Sequence, residues 1–393
     1  MQFERNAQEE TDRKAAKAAQ EASEMQETGK ATMFPSLLDT ISSVDPAYWT
    51  NMVDLTNLLS PQVQEWNSAH PESSVRLLGK CEYRNPGCSH KDRIAKKILQ
   101  EAESSGRLQS SSSKKTILVA SSGNTGCSVA WIGAVMGYSV TVITNAKCSQ
   151  EKRKHIQALG ATLWMAESLP KQFPDILGQE TNYMKQEIVL AEAFPEKYFS
   201  INQYDNAHNT RAHYEYTGPE IFEQTKGNIT HFVMCASTGG TIMGIGKYLK
   251  ERNPNVSIVL ADPSKSYLSS FFLQQKSKDE GEQSLIAVKN RIEKEGKTLV
   301  EGAGKTVLTK LMTENGILTP VDRVIRIEDE RAFDVCRKMA MCGFVLGGSS
   351  GVNVEAAKIL AEESVLTNNV TAGGMTIVTV LCDSGLKYLS KIF

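Results

Sequence analysis

The sequence predicts an α/β protein of two domains, each a mainly parallel, twisted sheet covered by helices. Two observations predict it. From about residue 114, short β-branched runs alternate with amphipathic stretches, the spacing of parallel strands joined by crossover helices. The alternation also falls into two blocks that separate near residue 205, which implies a cleft between two such layers.

The first block reads in order. KKTILVA is a buried strand, GNTGCSVAWIGAVMG a Gly-rich turn entering a helix, and YSVTVITN a strand. SQEKRKHIQALG is a helix with a glycine stop, and ATLWMAE is a strand. In the second block HFVMCA is a strand, and GGTIMGIGKYLKERNP is a turn and a helix ended by Pro254. VSIVLADP is a strand, RAFDVCRKMA and NVEAAKILAEE are helical, and MTIVTVLCD is a final strand. Residues 274–298 break the pattern with dense charge and read as a surface excursion holding one helix. Residues 1–31, rich in Ala, Glu, Lys and Gln, bury little and read as a mobile charged arm. The expected division is therefore an arm at 1–31, an N-terminal domain at 32–205 and a C-terminal domain at 206–393.

Composition narrows the function. The 45 acidic and 44 basic residues nearly cancel, which argues against nucleic acid as a partner. No run of 18 apolar residues exists, so no membrane span is expected. The start lacks the apolar stretch of a secretory signal. The 8 cysteines contain no CxxC pair, so no metal site is expected and a reducing cytoplasm is.

Three Gly- and hydroxyl-rich turns follow or adjoin apolar strands: SSGNTG (Ser121–Gly126) after KKTILVA, STGGT (Ser237–Thr241) after HFVMCA and GGSSG (Gly347–Gly351) after CGFVL. A strand, a Gly-rich turn and a helix start present backbone N–H groups and a positive dipole end to an anion. Dinucleotide binding does not fit, because no GxGxxG follows a strand and Gly244 and Gly246 fall inside a helix. EGAGKT ends like a P-loop, but Leu299 stands where its first glycine is required.

Lys91 lies in NPGCSHKDR, after a turn signal, where Ser89 can cap a helix beginning around His90 to Asp92. In a first turn its ammonium meets the unfavourable end of the dipole, which eases loss of the proton and favours attack on a carbonyl. An amine, an anion-binding turn and a parallel-sheet cleft together suggest pyridoxal phosphate, an aldehyde for the first and a phosphate for the second. His90 should face away from Lys91 and reads as packing or a surface contact, and His155, on a basic helix, reads as solvated.

NPGCSHKDR, SSGNTG, NQYDN…HYEYTGPEI, STGGT and GGSSG, in that order, resemble the motifs of the cysteine synthase and cystathionine β-synthase family. This is the fold-type II, tryptophan-synthase-β-like group of pyridoxal phosphate enzymes, and the resemblance runs from about residue 78 to the end. It implies that Lys91 forms the Schiff base with pyridoxal 5'-phosphate. It implies that Ser121, Ser122, Gly123, Asn124 and Thr125 grip the substrate carboxylate, with Gln203 as a second contact and Asn124 also on the cofactor's ring hydroxyl. Ser237, Thr238, Gly239, Gly240 and Thr241 match the phosphate cup, and Ser349 the hydroxyl facing the pyridine nitrogen. Taken singly, Ser349 reads equally as a helix cap and Gln203 as a turn residue.

Departures from the family pattern fall at Cys88 and Ser237, where glycine is usual, and at EGAGKTVLTKL, in place of a glycine-plus-aromatic-proline segment that borders the active-site mouth. The family's TPLV signature is missing near DLTNLLSPQ, and no cysteine precedes Cys81 to hold haem. The resemblance implies β-replacement on O-acetylserine, O-phosphoserine or serine through an aminoacrylate, with sulfide adding to give L-cysteine. Alternatives are homocysteine, cyanide or an amine as the nucleophile, or a non-catalytic cofactor-binding sensor. The partners expected are a small amino acid and a small nucleophile, and a second copy of the chain in a homodimer.

Overall fold

The β-branched runs are strands in the computed structural model, which describes residues 37–109, 113–146, 148–314, 316 and 318–393. The charged segment 1–31 lies outside the described residues. Among those described, the strands form two sheets. The chain divides into two compact units. One takes the described part of Met1–Ile41 with Lys91–Asn206, the other Ser42–His90 with Ala207–Phe393.

The first unit holds a four-stranded sheet of β3 (Thr116–Ala120), β4 (Val140–Thr144), β5 (Thr162–Met165) and β6 (Tyr198–Ser200), in the order β5-β4-β3-β6. All three pairings are parallel. Side chains alternate across β3: Ile117 and Val119 enter one apolar cluster, Leu118 another. Both faces are thus buried, as a parallel sheet requires.

The second unit holds β1 (Met52–Asp54), β2 (Val75–Lys80), β7 (His231–Cys235), β8 (Ser257–Pro263), β9 (Arg323–Ile327) and β10 (Met375–Val380). Their order is β1-β2-β10-β7-β8-β9, and only the β1–β2 pairing is antiparallel. This corrects the expected division. Residues 42–90 do not belong with the N-terminal half, because β2 pairs along its whole length with β10. The charged excursion contains a helix, Lys278–Glu295, with only Gly281 and Val288 buried on it.

In both sheets the strand order reverses beside one strand. β3 leads to β4 and β5 on one side, while β6 adds on the other. β7 leads to β8 and β9 on one side, while β10 adds on the other. The C-terminal ends of β3 and β7 are therefore topological switch points, where helices leave to opposite sides and a ligand can approach backbone. SSGNTG follows β3 and STGGT follows β7.

A buried ion pair locks the second unit. Lys80, at the end of β2, is fully buried and pairs with buried Glu220 at 2.5 Å. Its other two protons go to the Thr50 carbonyl and Gln224 Oε1. Removing one partner of such a pair strands a charge in the interior. Lys80→Met should therefore cost about 3–5 kcal/mol. Lys80→Met combined with Glu220→Leu should recover most of that loss. Urea unfolding midpoints check it, and equal midpoints for the single and double variants would refute it.

Candidate functional site

Each unit carries its own set of functional groups. In the first, Lys91 opens the helix Lys91–Ser104, as the sequence predicts, and is partly buried. Asp92 beside it is fully buried and accepts from Ser128 Oγ at 2.6 Å and Trp131 Nε1 at 3.0 Å. Both donors lie on the helix Asn124–Val135, so Asp92 ties the start of one helix to the other. Sequence reading missed this role, since Lys-Asp-Arg looks like a local ion pair.

The turn after β3 is tight. Gly123 N donates to Ser121 Oγ at 3.1 Å, and the helix begins at Asn124. Ser121 and Thr125 are buried, while Ser122, Gly123 and Asn124 stay partly exposed. Two groups predicted separately meet here: Thr125 Oγ1 donates to Gln203 Oε1 at 2.7 Å. Gln203 Nε2 in turn donates to the Ala120 carbonyl at the end of β3, at 3.0 Å. Gln203 is thus more than a turn residue.

Glu187 holds the turn that presents Gln203 and was also missed. It accepts from the N–H of Ala120 (2.7 Å) and of Asn202 (2.8 Å) and from Ser200 Oγ (2.7 Å). Burial pushes its carboxyl above the usual range, while these donors pull it back. Nothing in QEIVLAEA distinguishes it from the solvated acids around it, because its partners come from two other strands.

In the second unit the loop Ser237–Thr241 leads into the helix Gly240–Arg252. Gly239 sits at φ 89°, left-handed, and a Cβ there would stand 2.6 Å from Met312 Cγ. Thr238 and Thr241 are buried, and Ser237 is partly exposed. Thr238 Oγ1 accepts from Asn209 Nδ2 at 3.2 Å and Gly240 N at 3.4 Å. Thr241 Oγ1 lies 3.2 Å from His213 Nε2, whose Nδ1 lies 2.9 Å from Thr217 Oγ1. Asn209 and His213, both near the start of NAHNTRAHYEYTGPEI, are further residues the sequence did not single out. Gly244 is a close-approach glycine, because a Cβ would stand 2.3 Å from the Thr210 carbonyl.

Ser349 is the second residue of the helix Gly348–Leu366 and is buried. The capping position falls at Gly347, so the cap alternative for Ser349 is set aside. Nor does CGFVL before it join a sheet as a strand; only Leu346 bridges, to Ser384. The helix is held to the switch point by its next residues. Ser350 Oγ accepts from Cys382 N, while Asn353 accepts from Cys235 N at the end of β7 and donates to the Val380 carbonyl at the end of β10. Ser349 lies beside the Cys382 thiol, which neighbouring Cys235 and burial keep protonated.

The turn leading to Lys91 is anchored in the second unit. The N–H of His90 donates to the Cys382 carbonyl at 2.9 Å, and its ring Nδ1 lies 3.1 Å from the same oxygen. His90 therefore packs, as expected. Lys387 Nζ donates to the Gly87 carbonyl at 2.6 Å. Cys88 takes φ 57°, the left-handed region, where glycine is comfortable and cysteine is not.

The unusual segment EGAGKTVLTKL runs beside the loop Ser237–Thr241. Gly304 N donates to the Ala236 carbonyl and Thr309 Oγ1 to the Thr238 carbonyl, both at 2.7 Å. Lys305 is pinned through its backbone to Ser266 Oγ, and burial draws its amine down to about 8. With Leu299 outside any strand, no P-loop forms here.

The donor set fits pyridoxal phosphate. A primary amine at a helix start suits the aldehyde, and two buried hydroxyls at a glycine cradle with no room for a Cβ suit the phosphate. Among the described residues, no group of His, Cys, Asp and Glu could hold a metal ion, and no helix is long and apolar enough to cross a membrane.

Comparison with known proteins gives a consistent result. The family model described as pyridoxal-phosphate dependent enzyme matches residues 59–383. A cysteine synthase of Dictyostelium discoideum is 35% identical over 325 residues, covering 82% of this chain and 78% of that protein. Among solved structures, O-acetyl serine sulfhydrylase isoform 3 from Entamoeba histolytica superposes with a TM-score of 0.68 at 27% identity, covering 92% of each chain. An O-acetylserine dependent cystathionine beta-synthase from Helicobacter pylori gives 0.69 at 25% identity, covering 92% of this chain and 99% of that one.

The strain at Cys88 is open to measurement. A left-handed conformation costs a non-glycine residue roughly 1–2 kcal/mol, and glycine gives back about 0.5–1 kcal/mol through its freer unfolded chain. Cys88→Gly should thus leave the urea midpoint unchanged or raise it, whereas Cys88→Val should lower it. A clear loss of stability in Cys88→Gly would show that the thiol's contacts outweigh the strain.

Proposed function

The chain belongs to the pyridoxal-phosphate dependent enzymes, and from that premise we propose that it makes L-cysteine by β-replacement on a serine derivative, with sulfide as the nucleophile. β-Replacement chemistry on this cofactor is common to the relatives it matches. The observation that supports the reading is the Thr125–Gln203 pair at the β3 switch point, which would take the α-carboxylate of an amino acid.

When bound, pyridoxal phosphate supplies an electron sink for charge that develops at the substrate α-carbon. Lys91 would hold its aldehyde end, the loop Ser237–Thr241 its phosphate, and Ser349 and Asn124 its ring. Lys91, the first residue of its helix, would take the α-proton once the substrate's amine has replaced it on the aldehyde. The electron pair left behind forms a Cα–Cβ double bond as the Cβ–O bond breaks and acetate, phosphate or water departs. Sulfide then adds to Cβ, and Lys91 returns the proton to Cα. The N–H groups of the Ser121–Thr125 turn would hold the carboxylate throughout, and the Thr125 hydroxyl would join them by turning its proton from Gln203 Oε1 to the substrate. A neutral hydroxyl at Ser349, beside the Cys382 thiol that Cys235 and burial keep protonated, would not hold a proton on the ring nitrogen as a carboxylate would. That weakens the electron sink and favours prompt departure of the leaving group.

The test is product analysis. Holoenzyme given O-acetylserine, O-phosphoserine or serine with sulfide should form cysteine. Homocysteine, cyanide and simple amines compete in the same assay. Lys91→Ala should abolish turnover and the visible cofactor absorbance while the melting temperature holds. Cysteine formation by that variant would refute the mechanism, and a preference for another nucleophile would reassign the product.

Two loop variants should give opposite signatures. Charge-assisted hydrogen bonds are worth about 1.5–3 kcal/mol, so Thr125→Ala, which also frees Gln203, should weaken amino-acid binding roughly ten- to a hundredfold. Cofactor affinity should barely move. Thr238→Ala should do the reverse. Titrations with pyridoxal phosphate and with O-acetylserine, followed by absorbance, distinguish them. Loss of cofactor alone in Thr125→Ala would mean the two loops have been exchanged.

A further inference from the structure

We propose, resting on Ser237–Thr241 as the phosphate loop, that His213 is a positioning residue for the cofactor: its Nε2–H donates to Thr241 Oγ1 and so leaves the Thr241 proton for the phosphate. His213 is 0% exposed, and its ring stands between two threonine hydroxyls. Thr217 Oγ1 lies 2.9 Å from Nδ1, and Thr241 Oγ1 lies 3.2 Å from Nε2. A neutral imidazole has one donor and one acceptor nitrogen, so the three groups form a directed chain. Only one direction leaves Thr241 a proton to give.

Thr217 decides the direction. It is 1% exposed, and among the described residues its hydroxyl has one hydrogen-bond partner, His213 Nδ1. A helical threonine commonly gives its hydroxyl proton to the carbonyl four residues back. Here that carbonyl belongs to His213, which opens the π-helical turn His213–Thr217 and accepts from Gly218 N. The Thr217 hydroxyl turns to the ring instead. A buried hydroxyl proton is costly to leave without an acceptor, so Thr217 donates to Nδ1. That nitrogen is then bare, the ring proton sits on Nε2, and Thr241 Oγ1 accepts it. The Thr241 proton is left to donate, with no acceptor among the described residues.

Thr238 reaches the same state by another route. Its Oγ1 accepts from Asn209 Nδ2 and Gly240 N, which occupies both lone pairs and leaves its proton to donate. Asn209 and His213 are four residues apart and share a helical face, as do Gly240 and Gly244 opposite them. A Cβ at Gly240 would collide with the Asn209 side chain, and one at Gly244 would stand 2.9 Å from His213 Cβ. The two glycines thus admit Asn209 and His213 to the two threonines. Two buried hydroxyls with protons to give, beside one glycine turn, suit a group rich in acceptor oxygens, as a phosphate is.

The apoenzyme is titrated with pyridoxal phosphate and with pyridoxal, which lacks the phosphate, and followed by absorbance. His213→Phe, which fills the space without a donor, should bind pyridoxal phosphate roughly three- to tenfold more weakly, the range for one neutral hydrogen bond. Its affinity for pyridoxal should be unchanged. His213→Gln, whose amide can place an N–H near the position of Nε2, should restore most of the loss. In a Thr241→Ala background His213→Phe should change nothing further, since it acts through that hydroxyl. Equal loss for both ligands, no loss for either, or additive losses in the double variant overturns the proposal. If His213→Phe does not fold, Thr217→Val carries the same comparison, because it removes the hydroxyl that sets the ring, and Thr217→Ser should restore it. Nitrogen NMR of the wild-type histidines should find the His213 proton on Nε2, and a neutral ring protonated on Nδ1 overturns the proposal. Thr241→Ala that binds pyridoxal phosphate as tightly as wild type overturns the reading of the phosphate loop itself, and this inference with it.

Discussion

Asp92 is a carboxylate with no exposure to water, held by the Ser128 hydroxyl and the Trp131 indole N–H. Through those two bonds the helix that begins with Lys91 and the helix that begins with Asn124 become one body. Lys91 and the Ser121–Thr125 turn both stand at helix starts, so fixing one helix to the other fixes the two together. A buried carboxylate is also expensive to leave without donors, which makes the arrangement hard to loosen. An acidic residue in the first helical turn is favoured by the dipole as well. The same dipole that disfavours an ammonium at Lys91 therefore helps retain the anchor beside it.

The second constraint is topological. In both sheets the strand carrying the functional turn is the one beside which the order reverses. Backbone N–H groups at that point are not covered by a crossover helix, and a small anion can reach them. The second unit strengthens its switch point with side chains. Asn353 bonds the ends of both β7 and β10, the two strands that part there, and Ser350 holds Cys382 just beyond. Ser349 is placed by the residues that follow it in its own helix. Gly239, Gly240 and Gly244 each stand where another group comes too close for a Cβ: Met312, Asn209 and the Thr210 carbonyl.

The departures from the family pattern separate by physical cause. Cys88 occupies a left-handed position that glycine fills without strain, in a turn held by Cys382 and Lys387. EGAGKT keeps glycine at 304, where φ is 77° and a Cβ would stand 2.9 Å from Ser266. Next to it stands Lys305, an amine that burial makes easier to neutralise.

The strands, the helix starts and the Gly-rich turns were legible in the sequence because each depends on local spacing: β-branched runs, a capping residue, glycines where backbone must pass close. The order of motifs was enough to point to the family, which the match over residues 59–383 shows. What the chain order could not show was which strand lies beside which. Residues 42–90 join the second unit because β2 pairs with β10, 300 positions away. The switch points, the Thr125–Gln203 bond and the contacts of Glu187 and Asn353 follow from non-local pairing of this kind, β3 with β6 in the first unit and β7 with β10 in the second. A buried Glu and a solvated Glu, or a buried Lys and an exposed one, have the same local sequence signal. They differ only in what tertiary packing brings to within hydrogen-bonding distance, and that is decided by the sheets.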